Sequence, residues 1–180
     1  MIAVSACLAG EPCRYDGRAN RSEAVSRLVA AGNAVCICPE CLGGLSTPRE
    51  PAEIVGGSAE EVFSGHARVL TKSGADVTAA FVRGAYAALT VCRAHNITEA
   101  VLKAKSPSCG CGAVYDGTFS GRLVLGDGLT AALFRKNGIS VQTEQGSALA
   151  LDAAISFRRL NRGKQYDSCD RRRQKHPCHH

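Results

Sequence analysis

No stretch of the sequence reaches the ~18 consecutive apolar residues that a membrane-spanning helix needs, so no membrane span is expected. The N-terminus, MIAVSACLAG, lacks the basic first segment of a secretory leader. It runs straight into polar loop residues and reads as a first strand, which implies a cytoplasmic chain. The sequence has no Walker pattern and no GxGxxG opening a helix, which excludes the common nucleotide-binding loops. Histidine is scarce: of five, His176, His179 and His180 crowd the C-terminus, leaving His66 and His95. Neither is tied by sequence to a cysteine, so nothing supports a Cys–His hydrolase. Charge of one sign is also missing from most of the chain. The net +6 resides in Arg158–His180, which holds eight Lys and Arg against two Asp, while residues 1–157 hold 14 groups of each sign. There is no internal repeat and no interdomain linker. The organisation expected is one domain over residues 1–157 and a basic, disordered tail over 158–180, whose only partner would be a weak, salt-sensitive polyanion contact.

What the sequence does have is cysteine, ten in 180 residues, and an ordinary globular 45% of apolar residues. A chain of this length buries a core without covalent staples. In a reducing compartment its thiols stay free for metal binding or chemistry. Cys92 lies in an apolar helical run, AYAALTVCRAH, and reads as a small core residue. Cys169 and Cys178 fall in the tail. The others gather in three glycine-bearing loops: SACLAGEPCRYDG (Ser5–Gly17), CICPECLGG (Cys36–Gly44) and SPSCGCG (Ser106–Gly112).

Short apolar runs at 2–5, 34–37, 100–103 and 139–141 read as buried strands, with 67–71 as a strand or extended arm. Helical patterns follow Ser22, span 77–95 and 129–136, and recur from Ser147 to about Leu160. The prolines and paired glycines of CPECLGGLSTPREPAEIV argue against long regular structure there, and YDGTFSGRLVLGDG reads as a small hairpin. Strands alternating with helices imply an α/β fold with a parallel sheet. Ligands of such folds collect at the carboxyl ends of the strands. Cys7, Cys38 and Cys109 each stand at such an end, so three thiols distant in sequence are expected to face one crevice.

Thiolates of this kind suit zinc or an iron–sulfur cluster, and spacing alone does not choose between them. One alternative is a structural zinc module using Cys38, Cys41, Cys109 and Cys111, with the tail touching nucleic acid. Glu40 is placed to act as a general base or, alternatively, to pair with Arg14 or Arg49. Ser106 and Ser108 flank Pro107 and would bind a substrate or form a turn. Arg14, Tyr15 and Asp16 would hold a polar ring or shape the bend before Gly17.

Together SACLAGEPCRYDG, CPECLGGLSTPREPAEI, KSPSCG and YDGTFSG resemble the thiouracil desulfidase (thiouracil desulfurase) family, in the family's order, from about residue 2 to 145. The resemblance implies a Rossmann-like three-layer α/β unit with a short, mostly parallel sheet and its cysteine loops at the C-terminal strand edge. It implies a [4Fe-4S] cluster, readily lost in air, held by Cys7, Cys38 and Cys109, with one iron open to the sulfur of a thiolated pyrimidine. Water would replace that sulfur without net redox change. Glu40 would relay protons, Ser106 would help position the substrate, and Cys13 and Ser108 would give support. Cys41 and Ser46 depart from the family pattern, and Cys36 and Cys111 are additional thiols.

Overall fold

The first apolar run, IAVS, forms strand β1 (Ile2–Ser5), and AVCI forms β2 (Ala34–Ile37). EAVL and SVQT form β5 (Glu99–Leu102) and β8 (Ser140–Thr143). In this computed structural model, which describes residues 1–145, these runs pair into one four-stranded sheet of order β2-β1-β5-β8. Every pairing in it is parallel. The helix expected from Ser147, the boundary at 157, the basic tail and its Cys and His residues lie outside the described residues.

The connections supply the layers. Helix α2 (Glu23–Ala30) joins β1 to β2, α5 (Thr78–Ala94) precedes β5, and α6 (Leu129–Lys136) leads to β8. Side chains alternate across a strand, and the buried ones sort accordingly. Ala3, Ala100 and Leu102 pack in one cluster with Phe81 and Ala85 of α5 and Phe134 of α6. Val4 and Val101 are buried outside that cluster, as are Val25 and Leu28 of α2. Helices therefore cover both faces, a Rossmann-like three-layer arrangement. β2 lies on one side of β1 and β5 on the other, so the strand order reverses at β1, which opens a crevice at the carboxyl ends.

Between β2 and α5 the chain adds a second, smaller sheet. It consists of β3 (Ala52–Val55) and β4 (Arg68–Thr71), antiparallel, joined through α4 (Ala59–Phe63). β3 and α4 go beyond the sequence expectation. Ser58 and Glu61 form a reciprocal capping box that starts α4, with Glu61 N donating to Ser58 Oγ at 3.3 Å and Ser58 N to Glu61 Oε2 at 2.8 Å. The expected hairpin is present as β6 (Ala113–Tyr115) and β7 (Leu123–Leu125). Among the described residues no helix is long and apolar enough to cross a membrane.

Candidate active site

Each of the three cysteine loops begins where a parallel strand ends. β1 passes directly into a one-turn helix, α1 (Ala6–Ala9), which places Cys7 in its first turn and closes at Gly10 with φ 109°. β2 ends at Ile37, and Cys38 caps another single turn, α3 (Pro39–Leu42), with Pro39 at the first helical position. This turn crosses α5 with no space between the backbones. A Cβ on Gly84 would collide with the Pro39 carbonyl oxygen, and one on Gly43 with the Ala80 carbonyl oxygen. Two glycines thus fix the turn that carries Cys38 and Glu40.

The SPSCG loop is held from the other side by α6. The amides of Gly128, Leu129 and Thr130 donate to the carbonyls of Gly110, Pro107 and Ser108 at 2.8, 2.9 and 2.8 Å. The loop thereby takes up N–H groups that the first turn of a helix cannot satisfy internally. Ser108 Oγ meets Thr130 Oγ1 at 3.1 Å in a buried contact. Ser108 is thus a brace between loop and helix. Ser106 faces the opposite way: its Oγ accepts from the amides of Ser108 (3.1 Å) and Cys109 (3.2 Å) and donates to Glu40 Oε1 at 3.4 Å.

The loops enclose one cavity of about 410 Å³. Cys7, Cys13, Cys38 and Cys109 line it, together with Glu40 and Ser106. The sequence expectation that Cys7, Cys38 and Cys109 share a crevice is met. Cys38 Sγ donates to the Cys13 carbonyl at 3.8 Å. The thiols press on one another. Cys109 is pushed up to about 12, chiefly by burial, while a hydrogen bond with Ser5 works against the rise and the charges of Glu40 and Cys38 add to it. Cys13 also rises to about 12. Its bond with Cys38 pulls down, and the bond with Cys7, burial and the charges of Cys7 and Cys41 outweigh it. Cys38 is raised by its hydrogen bond with Cys13 and by burial. Without a cation these groups hold their protons, and a bound metal would have to displace them.

Of the partners open to it from sequence, Glu40 takes Arg49. Its Oε2 lies 2.7 Å from the Arg49 guanidinium, whose side chain is only 8% exposed, while Oε1 faces Ser106. Arg49 also donates to the carbonyls of Cys13 and Ser46, both at 3.0 Å, so one buried cation ties the first two cysteine loops together. Arg14 pairs with Asp16 at 3.1 Å, its guanidinium 5.8 Å from the Tyr15 ring centre, and Arg14 and Tyr15 line the cavity.

The four-cysteine zinc set is corrected by this arrangement. Cys111 is not at the cavity. Its Sγ receives Arg135 Nη2 at 2.7 Å and donates to the Val141 carbonyl at 3.5 Å. Cys41 is exposed beside Thr47, and Cys36 lies towards Glu11. Among the described residues no group of three or more His, Cys, Asp or Glu converges on a single ion. A four-iron cluster distributes its ligands over separate irons. Soft thiols at three adjacent loop bases around one cavity are the donor chemistry such a cluster takes, and Cys7, Cys38 and Cys109 fit it in kind. Arg49 was foreseen only as a partner of Glu40, and Glu53, Lys103 and Ser5 are among the lining residues that sequence reasoning missed. Ser5 accepts the Lys103 amide at 2.9 Å, and Lys103 Nζ is held by Glu144 at 2.7 Å.

A family model described as 2-thiouracil desulfurase matches residues 2–146. A solved structure of a [4Fe-4S]-dependent thiouracil desulfidase, TudS, superposes with a TM-score of 0.75 at 47% identity, covering 87% of this chain and 97% of that one. The protein YbbK of Bacillus subtilis (strain 168), described as uncharacterized, is 49% identical over 144 residues, 80% of this chain and 95% of its own length.

Proposed function

The chain belongs to the 2-thiouracil desulfurase family of enzymes, and from that premise we propose that it hydrolyses thiolated uracil, as base, nucleoside or nucleotide, by non-redox exchange of sulfur for oxygen. Cys7, Cys38 and Cys109 would hold a [4Fe-4S] cluster. When bound, that cluster supplies an open iron, a Lewis acid suited to a soft thione sulfur. The reading is supported above all by the one cavity that these three thiols share with Glu40 and Ser106.

The protein's own residues then account for the protons. Arg49 occupies Glu40 Oε2 and keeps the carboxylate from turning, which leaves Oε1 as the base. Oε1 takes a proton from water as the water oxygen bonds to the ring carbon. The same proton goes to the sulfur as the carbon–sulfur bond breaks, and the hydrogen left on the new C–O–H passes to the freed Glu40 carboxylate and from there to solvent, giving the oxo-pyrimidine and hydrosulfide with no net electron transfer. Ser106 is oriented by two amide donors, so its hydroxyl hydrogen has one direction, towards Glu40 Oε1 or a substrate atom beside it. Cys13 gives its carbonyl to Arg49 and Cys38, a support role for the first loop.

The test is anaerobic purification or reconstitution, followed by a visible spectrum and an assay of sulfide release from thiouracil. A brown protein with a broad visible band that converts thiouracil to uracil and sulfide is expected. A colourless protein holding stoichiometric zinc, or a full cluster that releases no sulfide from any thiolated uracil, contradicts the reading.

A further inference from the structure

The cavity contains a second carboxylate that the chemistry above does not use. Glu53 lies in β3, is only 7% exposed and lines the same cavity as the thiols. A carboxylate withdrawn from water needs donors. Glu53 Oε2 has one: it accepts the Phe119 amide at 3.0 Å. Among the described residues Oε1 has none, and no Lys or Arg forms an ion pair with Glu53. Glu40 differs, since both of its oxygens are engaged within the protein.

The wall around Glu53 is built firmly. Phe119 has φ 57°, the left-handed region that a bulky side chain disfavours, and its amide is fixed by Glu53. Two residues earlier, Gly117 has φ 85°, and a Cβ there would stand 2.5 Å from the Ile54 carbonyl oxygen. The hairpin tip thus rests directly on β3. This contact sets Tyr115 and Phe119 into the cavity wall next to Glu53. Aromatic surface beside a lone buried acceptor suits a flat heterocycle carrying an N–H.

We propose that Glu53 Oε1 accepts the ring N–H adjacent to the thiocarbonyl of the substrate, making Glu53 a specificity-determining residue for thiolated pyrimidines with an unsubstituted ring nitrogen. This rests on the desulfurase reading. An N–H to carboxylate bond is charge-assisted. A substrate lacking that hydrogen leaves Oε1 of a buried carboxylate without a donor, the kind of mismatch that discriminates far better than a change in apolar size.

The experiment uses the cluster-loaded enzyme with 4-thiouracil, which has one ring N–H beside its thiocarbonyl, and with the N3-methyl derivative. The wild type should prefer 4-thiouracil by about tenfold or more in kcat/KM. Glu53→Gln keeps an oxygen for the Phe119 amide but loses the charge. It should raise KM for 4-thiouracil about tenfold, change kcat far less, and bring the two substrates to within about twofold. Equal use of both substrates by the wild type overturns the inference and leaves the desulfurase reading standing. So does an unchanged preference in the variant, because a purely steric effect of the methyl group would persist. No sulfide from either substrate with wild type removes both. Should the variant fail to take up the cluster, inhibition of the wild type by uracil and by 3-deazauracil, which has C–H in place of the ring N3–H and no added bulk, reads the same contact. Stronger inhibition by uracil supports it, and equal inhibition overturns it.

Discussion

Cysteine occurs on two sides of this molecule with opposite consequences. At the carboxyl edge of the parallel sheet, Cys7, Cys13, Cys38 and Cys109 line a shared cavity. In the α5–α6 layer, Cys92 is wholly buried among apolar neighbours and Cys111 packs against that core under Arg135. Burial does not separate the groups, since Cys109 is as inaccessible as Cys92 in any practical sense. Desolvation raises both thiols, Cys92 to about 11 and Cys109 to about 12. The difference is position. Cys92 sits mid-layer, where nothing can approach its sulfur, and Cys109 begins a loop at a strand end, beside a carboxylate and other thiols. A thiol's place in the topology, rather than its surroundings averaged over a sphere, marks it as available for chemistry.

If that contrast is right, changes at the strand ends strike turnover and changes in the helical layer strike stability. The largest effect is expected from Glu40→Gln: the protein keeps its colour, melts at a lower temperature because the buried Arg49 loses its counter-charge, and releases sulfide about 10²–10⁴-fold more slowly per folded molecule. Steady-state assays of the loaded variant check this, and full activity would remove the proton-relay role. Phe134→Ala, in the core of α6, should cost about 3–5 kcal/mol of stability by denaturant titration. Turnover per folded molecule should stay the same.

The raised thiols give a pH signature of the cluster-free protein. In the unfolded chain these cysteines ionise near 9.0, while the folded state holds the protons of Cys13 and Cys109 up to about 12. Across that window the unfolded state binds fewer protons, so stability is complete below about 9 and falls as pH rises towards about 12. Thermal melts at stepped pH should show the decline in cluster-free wild type and less of it in Cys92→Ala, whose own thiol contributes part. Arg49→Lys keeps the charge but loses the fork that grips Glu40, Cys13 and Ser46 together. A fall of about tenfold in kcat, with KM and the visible band little changed, is expected. The smallest effect belongs to Cys92→Ala itself: about 1 kcal/mol less stable, with desulfuration unaltered.

Much of this contrast is legible in the chain. β1, β2 and α6 coincide with apolar runs bounded by polar loops, and the longest helix follows its 3.6-residue period. Because the sheet is parallel, reading three strand ends was enough to bring Cys7, Cys38 and Cys109 together. The second sheet was less legible. β3 is four residues, AEIV, inside a proline-bearing stretch, and it is a strand because β4 pairs with it across a long excursion. α4 could have been found, since Ser58 and Glu61 have the spacing of a capping box. Arg49 and Glu53 looked like ordinary loop charges. Their burial comes from the hairpin and the first loop closing over them, a long-range outcome that local pattern does not encode. The zinc set failed for the same reason: Cys109 and Cys111 are two residues apart, yet the turn at Gly110 sends the second thiol to Arg135.

The most direct measurement is iron content and thiouracil-dependent sulfide release, made anaerobically on wild type, on single Ser replacements of Cys7, Cys38 and Cys109, and on Ser replacements of Cys41 and Cys111. The account predicts about four irons per chain and active enzyme in the wild type and the last two variants, with both iron and activity lost in each of the first three. A fully loaded, fully active protein lacking any one of Cys7, Cys38 or Cys109 would contradict it.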